Sequence, residues 1–147
     1  RFTGTANPIP MLPPVREMTD LVHRRGSKVR VHCHGKVAQV LELLLETGCD
    51  GLDPCEPPPD GDLELGELKR RCAARGVSVW GNLELWVLET GTPATVREEV
   101  RKILAAAMDG GGFVLLPTAA PIDAELPPTT EENYLAFIDA ALELGRY

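Results

Sequence analysis

Four times along this chain, an amphipathic helical stretch ends at a glycine and a short apolar segment follows. The closing glycines are Gly26, Gly48, Gly76 and Gly110. Glycine suits this place because helices commonly end on a left-handed residue. Strands separated by helices of this length run parallel, since a parallel pair needs a long crossover connection. The rhythm therefore predicts an α/β fold with a parallel sheet.

Apolar residues recur at intervals of three and four in the helical stretches, as expected of helices with one buried face. Helices are predicted over residues 14–25, 36–47, 63–75, 94–108 and 131–144. Strands are predicted over residues 28–33, 51–53, 77–80 and 113–116. Thr92 and Thr130 are predicted to precede helices as hydroxyl caps. Residues 1–13 are predicted to form a loop, and residues 14–147 one domain.

Two architectures alternate parallel strands with helices, the doubly wound sheet and the (β/α)8 or TIM barrel. No glycine-rich dinucleotide fingerprint follows the first strand, and the glycines at 110–112 precede a strand rather than a helix. This favours the barrel. A full barrel needs roughly 250 residues, and this chain has 147. We therefore expect four βα units, half of a TIM barrel, whose inward face and open edges need cover.

Charge and cysteine content exclude several classes of function. Lys and Arg number 15 against 22 for Asp and Glu, a net charge of −7, so we expect neither nucleic acid nor a membrane as partner. No apolar run approaches the roughly 20 residues that span a bilayer, and the N-terminus shows no signal-peptide pattern. The four cysteines contain no CxxC pair. We predict a cytoplasmic protein that acts on a small molecule.

The strongest chemical signal is the pair His32 and His34 at the end of the first strand. Sites in parallel α/β folds lie at the carboxyl ends of the strands. Residues two apart on a strand face the same side, about 7 Å apart at their Cα atoms, so the two imidazoles can share one ion. We predict that they bind a divalent metal, zinc by preference. The alternative is two polar residues hydrogen-bonded to their neighbours.

A proline-rich acidic loop follows the second strand. Its prolines at 57–59 restrict the backbone and would hold Glu56 in one position, as a metal ligand or an acid/base group requires. We predict Glu56 to be the third metal ligand and a catalytic residue. The alternative is a solvated acid on a rigid surface loop.

The third and fourth strands also end in polar residues. Asn82 follows Gly81, which permits a close backbone approach, and its amide suits a substrate carbonyl or carboxylate. We assign it a catalytic role as well. The predicted substrate-binding residues are Trp80, Asn82, Glu84 and Thr118.

Taken together, these motifs resemble the uroporphyrinogen decarboxylase superfamily. The motifs are residues 32–35 (HCHG), 48–52 (GCDGL), 56–59 (EPPP), 81–83 (GNL), 91–93 (GTP), 110–115 (GGGFVL), 132–133 (EN) and 145–147 (GRY). The resemblance runs from about residue 11 to 147 and implies the C-terminal half of that superfamily's TIM barrel. The superfamily includes porphyrinogen decarboxylases and cobalamin-linked methyltransferases that use zinc to activate a thiol.

The resemblance implies a relation to the methyltransferase branch, whose His-x-Cys-Gly motif matches residues 32–35 except that His34 replaces the cysteine. That branch's later cysteine is absent around Thr118. We predict metal-dependent methyl transfer involving a thiol, or a corrinoid on a partner as methyl donor. The alternatives are porphyrinogen decarboxylation without metal, and an inactive barrel fragment or interaction module. We expect the chain to self-associate or to pack against an N-terminal half.

Overall fold

The computed structural model describes residues 12–122 and 125–146. The helices are α1 Leu12–Arg24, α2 Leu41–Glu46, α3 Leu65–Ala73, α4 Leu85–Thr90, α5 Pro93–Ala107 and α6 Pro128–Leu144. The strands are β1 Arg30–Cys33, β2 Gly51–Pro54, β3 Ser78–Leu83 and β4 Phe113–Pro117. None of these helices is long and apolar enough to cross a membrane.

The four strands form one sheet in the order β1-β2-β3-β4, and every neighbouring pair is parallel. Each strand is joined to the next through at least one helix. The predicted alternation of helices with parallel strands is therefore confirmed. Because all strands point the same way, their carboxyl ends lie along one edge of the sheet.

The helices pack on one face of the sheet and form the hydrophobic core there. Leu52, Val79 and Phe113 lie level with one another in the strand register and are all buried. They belong to one apolar cluster with Val96 and Val100 of α5, which are fully buried. Val31 of β1 packs against this cluster, so alternation sends His32 to the opposite face.

The opposite face, which we call the open face, is polar at β1 and β2 and apolar at β4. Its residues by alternation are Arg30, His32, Asp53, Ser78, Trp80, Val114 and Leu116. Arg30, His32 and Val114 are exposed, and Trp80 and Leu116 are half-buried. In a complete barrel this face would line the interior.

The helix predicted over 36–47 is shorter than expected, because α2 begins only at Leu41. The Ala38 amide donates instead to Asp62 Oδ1 at 2.9 Å, which ties this segment to the loop after β2. Val37 is buried within that non-helical segment. Its apolar character therefore matched the helical period without belonging to a helix.

Helices α4 and α6 also differ from expectation. The six-residue helix α4 was not predicted, and the Asn133 side chain stabilises its end by donating to the carbonyls of Leu88 and Gly91, each at 2.9 Å. Helix α6 begins at Pro128 rather than at the predicted residue 131, because proline is well suited to the first helical turn, so the predicted cap Thr130 lies inside the helix. The predicted cap at Thr92 is confirmed, since its side chain accepts from the Thr95 amide.

The predicted N-terminal loop of residues 1–13 lies outside the described residues up to position 11, and positions 12 and 13 belong to α1. At the other end of α1, His23 Nε2 lies 2.7 Å from Asp50 Oδ2. Asp50 also accepts from Lys28 Nζ and the Val29 amide, each at 2.8 Å. This carboxylate therefore joins α1, β1 and the start of β2.

Candidate active site

The carboxyl ends of β1 and β2 bring two histidines and two carboxylates into one hydrogen-bonded chain. His32 pairs with Asp53 in the strand register, and its Nδ1 lies 2.8 Å from Asp53 Oδ2. His32 Nε2 lies 2.8 Å from His34 Nε2, with the two rings edge to face. His34 Nδ1 lies 2.5 Å from Glu56 Oε1. The predicted meeting of His32, His34 and Glu56 is thus present, with Asp53 as a fourth member.

The hydrogen-bond pattern fixes how many protons the two rings carry. An ionised carboxylate only accepts, so each Nδ1 facing Asp53 or Glu56 carries a proton. The contact between the two Nε2 atoms requires one more proton between them. Three protons shared by the two rings would satisfy all three contacts. Such a pair holds a transferable proton beside two carboxylates.

Both histidines stand at the surface, while their carboxylate partners do not. The side chains of His32 and His34 are 56% and 53% exposed, against 6% for Asp53 and 12% for Glu56. The imidazoles can therefore meet a small molecule, and the buried carboxylates hold them in position. This arrangement is typical of a site in which a histidine transfers protons and a carboxylate orients the histidine ring.

The loop after β2 holds Glu56 beside His34, and its predicted catalytic and metal-binding roles stay predictions. Its second oxygen, Oε2, accepts from the Gly35 amide. The loop folds back on itself where the Gly61 amide donates to the Pro57 carbonyl at 2.9 Å, and a Cβ at Gly61 would meet the Glu56 carbonyl oxygen at 1.8 Å. Glu56 is thus locked behind His34.

The predicted metal ligands His32, His34 and Glu56 contact one another through hydrogen bonds. Both oxygens of Glu56 already accept hydrogen bonds, which leaves the Nε2 atoms of His32 and His34 as available donors. Catalytic zinc is typically held by three protein ligands. Among the described residues, no three His, Cys, Asp or Glu side chains are grouped to hold a metal ion. Metal binding by these residues stays a prediction.

Asn82 is buried at the end of β3 and ties two strands together. Its Nδ2 donates to the Cys55 carbonyl at 3.0 Å, and only 4% of the residue is exposed. The side chain therefore supports the backbone that leads into the Glu56 loop. Its predicted catalytic and substrate-binding roles stay predictions.

Glu84 and Thr118 contact each other across the ends of β3 and β4. Thr118 Oγ1 donates to Glu84 Oε2 at 3.1 Å and accepts from the Leu85 amide at 3.2 Å. Burial raises the pKa of Glu84, the Thr118 hydroxyl lowers it, and the nearby carboxylates of Asp60 and Glu56 raise it further. Within the described chain, the buried Glu84 Oε1 accepts no hydrogen bond. These two predicted substrate-binding residues thus form a hydrogen-bonded pair that is separate from the histidine pair.

A cavity of about 400 Å³ lies between the loop after β2 and helices α4 and α5. Glu84, Asn82 and Trp86 line it, together with the prolines at 57–59 and the acids Asp60, Glu64 and Glu99. His32, His34 and Trp80 do not. The structure therefore distributes the predicted site residues over two places, the open face and this cavity.

Two residues of the open face were missed by the sequence reasoning, Asp53 and Arg30. Arg30 Nε lies 3.1 Å from Asp53 Oδ1, and its guanidinium carbon lies 4.8 Å from the centroid of the Trp80 ring. Alternation along β1 already placed Arg30 on the same face as His32. The register that places Asp53 beside His32 depends on how β1 pairs with β2, and it could not be predicted from one segment of the sequence alone.

The fold and the site define an α/β protein with half of a parallel barrel and a histidine–carboxylate cluster at the carboxyl edge of its sheet. A family model described as "Uroporphyrinogen decarboxylase (URO-D)" matches residues 10–144. The chain belongs to this family, as the motifs indicated.

Curated relatives include uroporphyrinogen decarboxylases from two bacteria of different genera. That of Psychromonas ingrahamii is 34% identical over 121 residues, which are 82% of this chain and 31% of that protein. That of Shewanella pealeana is 38% identical over 93 residues, 63% of this chain and 24% of that protein. The chain therefore spans less than a third of the length of these relatives.

A methyltransferase from Methanosarcina mazei has a similar solved structure. The TM-score is 0.70 at 22% identity, covering 90% of this chain and 35% of that one. At this identity the likeness establishes the fold alone. Together with the partial coverage of the relatives, it confirms the prediction of a partial TIM barrel.

Proposed function

We propose that this chain carries the proton-transferring part of a carboxy-lyase site that acts on a porphyrinogen carboxylate. The relatives named uroporphyrinogen decarboxylase support this substrate class. The observation that carries the proposal is the hydrogen-bonded series Asp53–His32–His34–Glu56, in which two exposed imidazoles contact each other through their Nε2 atoms.

Decarboxylation needs a proton and no external oxidant or reductant. The bond between carbon and the carboxylate breaks, CO2 leaves, and the electron pair that stays on carbon takes up one proton. The His32–His34 pair supplies that proton through an Nε2 atom, and the remaining neutral pair regains one from solvent. Asp53 and Glu56 accept from the two Nδ1 atoms, so the proton that is transferred is the one held between the two Nε2 atoms.

The proposal is tested by incubating the purified chain with uroporphyrinogen under anaerobic conditions and separating the oxidised products by chromatography. We expect products with fewer carboxylates. His32→Gln and His34→Gln should each lower the rate by about 100-fold, as for loss of general acid catalysis. Arg97→Gln, which removes a cation on the helix side of the sheet that pairs with Glu143, should leave the rate unchanged.

Absence of product with the unaltered chain would contradict the proposal for this chain and favour the inactive-fragment alternative. Equal rates for the chain and both histidine variants would contradict the role of the pair.

Metal-dependent methyl transfer, with zinc and a corrinoid partner, is the other candidate that the sequence predicted. Its residues His32 and His34 offer two nitrogen donors, and the described geometry supports proton transfer more directly because Glu56 serves His34. Elemental analysis separates the two candidates. One zinc per chain that disappears in His32→Ala would support the metal site, and a metal-free active chain would support the lyase.

A further inference from the structure

We propose that Arg30 is the anchor for a substrate carboxylate on the open face, beside the His32–His34 pair. This inference rests on the proposed function, because it assigns the acidic group of the substrate to a residue next to the proton donor. No sequence motif pointed to Arg30.

The Trp80 ring supports the Arg30 guanidinium, and its own position is fixed by hydrogen bonds. Trp80 Nε1 donates to Ser78 Oγ at 2.8 Å, and Ser78 Oγ donates to the Asp50 carbonyl at 2.7 Å. Gly51 leaves the room that the indole occupies, since a Cβ there would lie 2.9 Å from Trp80 Nε1. The position of the ring is thus set by its hydrogen bond and by a neighbouring glycine.

The Arg30 guanidinium lies over the Trp80 ring and contacts Asp53 through Nε. Its guanidinium carbon is 4.8 Å from the centroid of the indole, within the range of a cation–π contact. Its Nε lies 3.1 Å from Asp53 Oδ1 without hydrogen-bond alignment, so this buried oxygen has no hydrogen-bond partner within the described residues. Two contacts therefore preorganise the guanidinium.

The remaining edge of the guanidinium is open to a ligand. The Arg30 side chain is 45% exposed, and over residues 12–122 and 125–146 its two Nη atoms have neither an acidic partner nor a hydrogen-bond acceptor. Two parallel N–H groups in a fixed plane match the two oxygens of a carboxylate. Because Asp53 contacts both Arg30 and His32, a carboxylate held by Arg30 lies beside the proton-donating pair.

The binding test uses propane-1,2,3-tricarboxylate, a transparent polycarboxylate, at constant ionic strength. Calorimetry measures the affinity. Trp80 fluorescence reports where the ligand binds, in a Trp86→Phe background that leaves Trp80 as the single tryptophan. We expect saturable binding that changes Trp80 emission. Arg30→Gln should weaken it at least about tenfold, the scale of a lost charged hydrogen-bond pair, and Arg30→Lys by a smaller factor.

Four controls accompany the binding test. Arg97→Gln makes the same change in net charge away from the open face and should bind as the unaltered chain does. Thermal unfolding identifies any variant that fails to fold, and Arg30→Lys keeps the test available if Arg30→Gln does not fold. Inorganic phosphate should bind more weakly than the tricarboxylate, because it presents one anionic group where the tricarboxylate presents three.

Equal affinity of Arg30→Gln and the unaltered chain, or tighter binding of phosphate, would overturn the assignment. Turnover of uroporphyrinogen separates this failure from failure of the proposed function. A rise in KM with little change in kcat for Arg30→Gln supports both. Turnover with an unchanged KM overturns only the Arg30 assignment, and Arg30-dependent binding without turnover overturns only the lyase.

Discussion

Glu56 is the residue whose placement says most about how the site works. It lies in a loop, yet both of its oxygens accept hydrogen bonds, from His34 Nδ1 and from the Gly35 amide. A side chain in this position cannot approach a substrate carbon on the far side of the histidines. Under the proposed function, its role is to accept from His34 Nδ1 and hold the ring in position.

Replacing Glu56 with Gln should therefore reduce both stability and turnover. An amide group offers one acceptor where two donors need one each, so an N–H group of His34 or Gly35 loses its partner. We expect a loss of about 1 kcal/mol in the free energy of unfolding, measured by urea denaturation. Glu46→Gln, at an exposed position on α2, is the matched control and should change nothing. Identical urea midpoints for Glu56→Gln and the unaltered chain would contradict this role.

The cysteines should differ in their reactivity towards thiol reagents. All four are free, and burial raises the pKa of Cys55 to about 12 and that of Cys72 to about 11. At pH 8 a thiol of pKa 12 is thiolate in about one molecule in ten thousand. Cys33 is the half-buried one. We expect Ellman's reagent to modify Cys33 first, and Cys33→Ser to remove the fast phase. Four equal rates in the native chain would contradict the burial pattern.

At the scale of elements, Asp50 connects α1 to the sheet. Burial raises the pKa of its carboxyl, but hydrogen bonds from Lys28, the Val29 amide and His23 outweigh this and hold the pKa well below its usual range. A lowered pKa in the folded state stabilises the protein above the unfolded value of about 3.9. That contribution is lost as the pH falls towards the folded value.

Asp50→Asn should remove this contribution at neutral pH. We expect a loss of about 1–2 kcal/mol in the free energy of unfolding at pH 7, since an acceptor of charged hydrogen bonds is lost. The difference from the unaltered chain should shrink as the pH falls below 4, because the Asp50 carboxylate of the unfolded chain then takes up a proton while that of the folded chain, with its lowered pKa, stays ionised. Urea denaturation from pH 7 to pH 3 measures it, with Asp20→Asn at an exposed position of α1 as control. A difference that is constant with pH would contradict the linkage.

At the scale of the whole molecule, the open face and the two outer strands are the surfaces on which a partner is predicted. Val114 is 37% exposed on that face, and Trp80 and Leu116 are half-buried there. Strands β1 and β4 each pair on one side only within the described chain, and unpaired parallel edges invite association. The expectation of self-association, or of packing against an N-terminal half, stays a prediction.

Sedimentation equilibrium at about 0.1 mM checks it, since micromolar association is saturated at that concentration. We expect a mass above that of the 16.0 kDa chain. Val114→Lys should weaken the association, because it places a charge on the apolar part of the open face. A monomer with cooperative unfolding would contradict the prediction and show that the open face tolerates water.

Most of the element order could be predicted from the sequence, because period and punctuation are local. Glycines at helix ends and short apolar strands predicted four parallel strands, and alternation alone placed His32 and His34 on one face. The exceptions have physical causes. Val37 fits a helical period but is held in a loop by the Asp62 contact with Ala38, and α4, with six residues, is too short for its period to stand out.

The roles within the site were decided by the tertiary structure. The sequence placed Glu56 near the histidines, but only the packed loop shows that its carboxylate faces His34 Nδ1 while His34 Nε2 faces His32. Asp53 joined the site because the register of β1 on β2 places it beside His32. Arg30 joined because Gly51 makes room for the indole beneath it. Such contacts depend on residues about 20 to 50 positions apart, and no local pattern encodes which atoms meet across that distance.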